Sequence, residues 1–152
     1  MSQSRDEAQH PSAEKRADAV RVIEVSAAIV FRDRRLLITQ RRPQDHLGGL
    51  WEFPGGKRES GETFEECLRR ELREELGAEF EVGALFDEVT HAYPEKTVRL
   101  KFYFCRWLQQ EPRPLHCHAV GWITRDELIR YEFPAADATL LEKLRADLAL
   151  WQ

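Results

Sequence analysis

Long apolar runs are missing from this sequence. The nearest to one, residues 25–31, is broken by Ser26 and is far shorter than the ~20 residues of a membrane-crossing helix. No membrane association is therefore expected. The first residues are polar and charged, without the apolar segment of a secretory signal, so export is not expected either. Cysteine is scarce: Cys67, Cys105 and Cys117 are odd in number and widely separated, which favours reduced thiols in a cytoplasmic protein over a disulfide framework. Positive charge is not in excess, since 23 Lys and Arg against 27 Asp and Glu give a net charge of -4. That removes the electrostatic footprint expected of a protein that binds a nucleic-acid polymer. A small phosphorylated ligand stays compatible, because a bound divalent cation offsets negative charge locally. No internal repeat is visible.

What is present fits one ordinary domain with one core in a chain of 152 residues. Residues 1–19 are polar with almost nothing to bury and read as a disordered extension, leaving 20–152 as the domain. Strands are expected over 22–31 and 36–40 around an Asp33-Arg34 turn, then a polar loop over 42–49 and a short strand over 50–53 halted by Pro54-Gly55-Gly56. Thr63 with Glu66 three residues on forms a capping box, and Gly77 stops the helix that follows. Two long strands are expected over 80–92 and 97–108, and another over 119–123. A short helix begins at Thr124 with Glu127 at its third position. A last helix spans 136–150 with Leu140, Leu141, Leu144 and Leu148 on its buried side. Strands, a helix, more strands and a final helix imply an α+β fold with a mixed sheet between helices, an α/β/α sandwich.

The first helix carries an unusual set of charges. Phe64, Leu68, Leu72 and Leu76 form its apolar stripe. At about 100° per residue, Glu66, Arg69 and Arg73 point away from that stripe, as solvated charges do. Glu71, Glu74 and Glu75 instead fall on or beside its edge. Carboxylates crowded at such spacing repel one another, and partial burial adds a desolvation cost, so a cation or strong donors must compensate. Hard oxygen donors without nearby Cys or His favour magnesium or manganese over zinc. Arg70 lies one turn from Glu74 and can partly neutralise the group.

Gly56, then Glu62, then Arg70-Glu71-Leu72, Glu74-Glu75 and Gly77, at these fixed spacings, resemble the signature of the Nudix hydrolases. Ala78 departs mildly, standing where a larger aliphatic is usual. The stretch from Trp51 to Lys57 and the strand end at Gln40-Arg41-Arg42 look like the MutT-type branch. The resemblance implies that the Gly56 backbone, Glu71, Glu74 and Glu75 hold Mg2+, with Mn2+ as the alternative. It implies catalytic parts for Glu71 as the base, for Glu74, and for Glu62 and Arg70 in support. It implies that Arg41 and Lys57 steer the phosphates or the base, that Phe53 offers an aromatic surface, and that Asp137 reads the base edge. The expected reaction is hydrolysis of a nucleoside triphosphate to the monophosphate and pyrophosphate, foremost 8-oxo-dGTP in nucleotide-pool sanitation and DNA repair. A CTP or methylated-pyrimidine triphosphate pyrophosphohydrolase is the alternative, and a non-catalytic nucleotide-binding module is the alternative of another class. The expected partner is a small nucleotide, not a polymer; a monomer is expected, with a dimer as the alternative. Counting back from Trp122 puts His116 where many relatives carry a further metal-binding Glu, so the segment His116-Cys117-His118 departs from the pattern.

Overall fold

The computed structural model describes residues 21–152, and the extension expected over 1–19 lies outside the described residues. The chain opens with β1 (Val22–Ile29), β2 (Phe31–Arg32) and β3 (Arg35–Gln40). Asp33 and Arg34 turn between β2 and β3 with φ of 52° and 66°, the paired positive angles whose twist suits a two-residue hairpin. Then come β4 (Trp51–Glu52), β5 (Gly55–Lys57), helix α1 (Phe64–Leu76), the long hairpin β6 (Glu79–Ala92) and β7 (Thr97–Gln109), β8 (Ala119–Ile123) and helix α2 (Ala138–Ala146).

The strands pair as two four-stranded sheets. One runs β5-β1-β7-β6, and the other runs β2-β3-β4 with β8 on the free side of β3. β1 and β7 are parallel, with Ala27 opposite Phe102, and the remaining pairs are antiparallel, so the architecture is mixed. The sheets meet through backbone bonds from Leu37 N–H to the Val30 carbonyl and from Ala28 N–H to the Pro54 carbonyl, each 2.9 Å. Alternation along β1 and β3 sends side chains to opposite faces, which requires cover on both. Ala28, Val30 and Leu37 face Leu68, Leu72 and Leu76 of α1. Ala27, Ile29, Leu36 and Ile38 face Leu140 and Leu144 of α2. This is the expected α+β sandwich.

Three details differ from the sequence-based expectation. β5 forms where Gly55 and Gly56 read as a stop, because both pair with β1 across a long sequence gap. A Cβ on Gly55 would lie 2.0 Å from the Ser26 carbonyl oxygen, so glycine permits the approach. The short helix after Thr124 is a 3-10 turn over Asp126–Arg130, although Thr124 and Glu127 still exchange their capping bonds. The last helix is shorter than 136–150. A 3-10 turn over Ala135–Asp137 leads into α2, Asp147 leaves helical geometry at ψ 87°, and Leu148–Trp151 form another 3-10 turn. Leu148 is therefore exposed. Trp151 takes the buried place, its indole donating to the Leu144 carbonyl at 2.8 Å and standing edge-on to Phe31. The larger apolar area of the indole decides which side chain is covered.

Candidate active site

Helix α1 is fixed at both ends by local chemistry. Glu66 N–H donates to Thr63 Oγ1 at 3.0 Å, and Thr63 N–H donates to Glu66 Oε1 at 2.8 Å. Gly77 adopts φ 65° and returns its N–H to the Arg73 carbonyl. Ser26 Oγ, buried on β1, donates to the Phe64 carbonyl at 2.7 Å and pins the first turn against the sheet. With the Leu68–Leu72–Leu76 stripe seated, rotation of the helix is no longer free.

That rotation turns Glu71 and Glu75 into a cleft of about 370 Å³ walled by β1, β4, β5, β7, α1 and the β7–β8 loop. Gly56, Arg41, Phe53, Lys57 and Asp137 also line it, as do His116 and Cys117. Glu62, Arg70 and Glu74 stand outside, at its rim. Glu74 is 52% exposed, which corrects the expectation that it lies beside the buried edge; on that side of α1 the buried residue is Cys67, two turns earlier, and the row is open to solvent by the time it reaches Glu74. Arg70 ties the rim together. Its guanidinium grips Glu62 in a two-point contact at 2.7 and 3.0 Å, reaches Glu71 Oε2 at 3.1 Å and Glu74 Oε1 at 3.2 Å, and donates to the Lys57 carbonyl. The Glu62 carboxyl is accordingly lowered to about 2, foremost by Arg70.

Inside the cleft the balance reverses. Burial pushes the Glu75 carboxyl up to about 8, and the like charges of Glu52 and Glu71 add to the shift. Its Oε1 is sealed from solvent and meets no hydrogen-bond donor. Glu71 is raised too, chiefly by burial and against the pull of Arg70. A Cβ on Gly56 would lie 2.2–2.6 Å from the Glu71 carboxyl atoms, so only glycine lets that carboxylate close on the loop. Among the described residues, no three His, Cys, Asp or Glu groups are already gathered as a ligand set. A partnerless buried oxygen, a second raised carboxylate and the adjoining glycine carbonyls are nonetheless an all-oxygen donor set that suits a hard divalent cation.

The specificity side of the cleft holds its own imbalance. Asp137 is 5% exposed, and burial with the nearby Glu52 charge pushes its carboxyl up to about 7. A second hollow of about 180 Å³ shares Arg41, Glu52, Lys57 and Asp137 with the first and extends to His46, Tyr93 and Lys96. Arg41 donates to Glu52 at 2.8 Å and to the His46 carbonyl at 2.6 Å, so it braces this wall. Phe53 is buried between Phe102 and Phe133 and offers the cleft little of its ring. Glu52 is a cleft residue that sequence reasoning passed over. Its signal was a charge inside the aromatic run 50–53; it pairs opposite Thr39, and Arg41, just past the end of that strand, reaches it with its side chain.

The sequence profile described as the NUDIX domain matches residues 26–143. The chain is 35% identical over 127 residues to the CTP pyrophosphohydrolase of Escherichia coli K12, covering 84% of this chain and 94% of that protein. It is 40% identical over 114 residues to the putative 8-oxo-dGTP diphosphatase 2 of Mycobacterium tuberculosis H37Rv, covering 74% and 81%. Among solved structures, it is similar to the E. coli ORF135 protein, with a TM-score of 0.73, 34% identity and 86% and 94% of the two chains covered. The MutT NUDIX hydrolase of Burkholderia pseudomallei superposes with a TM-score of 0.74 at 28% identity over 82% and 98%. The matched stretch contains both the glycine loop and the glutamate helix, and the chain belongs to the Nudix family of hydrolases.

Proposed function

We propose that this protein hydrolyses nucleoside triphosphates to the monophosphate and pyrophosphate with a divalent cation, Mg2+ or Mn2+, held by Glu71, Glu74, Glu75 and the backbone at Gly56. The observation that carries the reading is Glu75, a buried carboxyl with a partnerless oxygen, one helical turn from Glu71 on the same wall of a cleft large enough for a nucleotide. Such a cation neutralises phosphate charge and lowers the pKa of bound water. Glu71 sits where it can take the proton of an attacking water, and Arg70 with Glu62 sets its orientation from the rim. Glu74, bonded to Arg70 at the rim, would join the cation by exchanging that contact for it. Arg41 and Lys57 supply the cations nearest the phosphates.

Asp137 is the group for the base, and Phe53 backs the wall behind it. Near pH 6 its carboxyl keeps its proton and presents one donor beside one acceptor. That pair matches the N7–H and O6 edge of 8-oxoguanine, and also the N3 and N4–H₂ edge of cytosine. We place 8-oxo-dGTP first, in line with the diphosphatase names of several relatives. CTP is the second reading, favoured by similarity across 94% of the CTP pyrophosphohydrolase. Initial rates on 8-oxo-dGTP, dGTP, CTP, 5-methyl-dCTP and ADP-ribose, with each cation and with chelator, test both. The expected result is cation-dependent release of pyrophosphate from 8-oxo-dGTP above all others. Turnover of no triphosphate with either cation would overturn the assignment.

A further inference from the structure

The β7–β8 segment, residues 110–118, has no strand or helix of its own, yet it forms the wall of the cleft beside Glu75. Its seat is the end of α1. Arg113 N–H donates to the Leu76 carbonyl at 2.9 Å, and Leu115 and His116 N–H both donate to the Glu75 carbonyl, at 3.0 and 3.2 Å. These amides satisfy carbonyls that a helix end leaves open. Where the segment begins, Arg32 of β2 reaches across from the other sheet. Its guanidinium meets Glu111 in a two-point contact at 3.0 and 2.8 Å, the fixed fork geometry that arginine alone provides. The same group lies 4.2 Å from the Trp122 ring centroid and 5.1 Å from that of Trp107, so it is held between two indoles. Trp107 in turn donates its indole N–H to the Gln110 carbonyl, at the residue where the chain turns with φ 61°. The far end is tied by His118 N–H to the Gln40 carbonyl at 2.8 Å.

We propose that Arg32 is a positioning residue for the cleft: through Glu111, Trp107 and Trp122 it latches segment 110–118 onto the end of α1, and so holds the His116–Cys117 wall against Glu75. Arg32 lines neither hollow and touches no reacting group, so its effect is carried entirely by the segment. The inference rests on the cleft being the reacting site, as proposed above. Loss of the latch leaves the helix-end amides as the principal anchors of the wall. Substrate then meets a cleft whose wall is seated only part of the time, which raises KM, while the turnover of correctly bound substrate changes little.

The test pairs Arg32→Ala with the milder Glu111→Gln, which leaves the guanidinium between its indoles. Amide hydrogen exchange at Leu115 and His116, referenced to Leu72 in the core, is expected to quicken about tenfold in Arg32→Ala and less in Glu111→Gln. KM for the preferred triphosphate is expected to rise severalfold with kcat within twofold, and Arg32→Lys to recover little of it. Exchange that stays at the wild-type ratio overturns the latch. Faster exchange with unchanged KM overturns its role in positioning. Wild-type protein that turns over no triphosphate sinks the proposed function instead. The latch is then decided by exchange together with the Mn2+ dissociation constant followed by electron paramagnetic resonance, expected to rise about threefold in Arg32→Ala.

Discussion

A buried polar atom without a partner costs a fold about 1–3 kcal/mol, and Glu75 Oε1 is such an atom. Above about pH 8, where the carboxyl is ionised, replacing it by an amide removes the like-charge repulsion from Glu52 and Glu71. We therefore expect Glu75→Gln to melt a few degrees higher than wild type in chelator at pH 9, yet to lose hydrolysis by roughly a hundredfold or more. Thermal unfolding and initial rates on the same preparation check both halves; a stabilised and fully active variant would remove Glu75 from the site. Asp137 gives a sharper contrast. Asparagine carries a donor and an acceptor at every pH, so Asp137→Asn should keep KM near wild type, whereas Asp137→Ala should raise it about tenfold to a hundredfold. Steady-state KM for both variants at pH 6 tests this. Angular position along one helix was enough to single out Glu71 and Glu75. It misjudged Glu74, because the buried arc depends on how deeply α1 settles on β1 and β5. Glu52 carries only the mark of a charge among large apolar neighbours, because its place in the cleft depends on Arg41 and on Asp137, 85 residues further along the chain.

Elements with signals inside their own boundaries were the readable ones. Helix α1 starts at a reciprocal Thr63–Glu66 cap and ends on a left-handed Gly77, both visible in the sequence. Thr63→Ala should cost about 1 kcal/mol, lowering the melting temperature by a few degrees while kcat/KM stays within twofold, because the cap lies outside the cleft. A large fall in kcat/KM at unchanged stability would show that the first turn does more than hold the helix. β5 was not readable, since Gly55 and Gly56 become a strand only by pairing with β1. Nor was the break at Asp147, where covering Trp151 outweighs one more turn of helix. The parallel pairing of β1 with β7 joins segments some 75 residues apart, and no short-range pattern encodes it.

For the whole molecule, the raised carboxyls make stability a function of pH. Glu75 and Asp137 hold their protons more tightly folded than unfolded, at about 8 and about 7 against ordinary values of 4.5 and 3.8. Their contribution is complete below pH 4 and is lost as pH climbs through those raised values. Without divalent cation, the melting temperature should fall from pH 5 to pH 8, and Glu75→Gln combined with Asp137→Asn should flatten the slope. Added Mg2+ should restore stability most at pH 8, where the ligands are ionised. A flat profile for the wild type in chelator would contradict the burial of these groups. The same molecule divides its labour unevenly along the chain. The residues proposed for cation and proton lie within 56–75, on one glycine loop and one capped helix, whereas the walls are drawn from the ends of β3 and β4, the 110–118 segment and the turn before α2. Substitutions that reshape the walls need not touch the capped helix. Exchanging wall side chains such as Arg41 or Asp137 therefore leaves the proposed cation holders where they are, and one capped helix can serve more than one base.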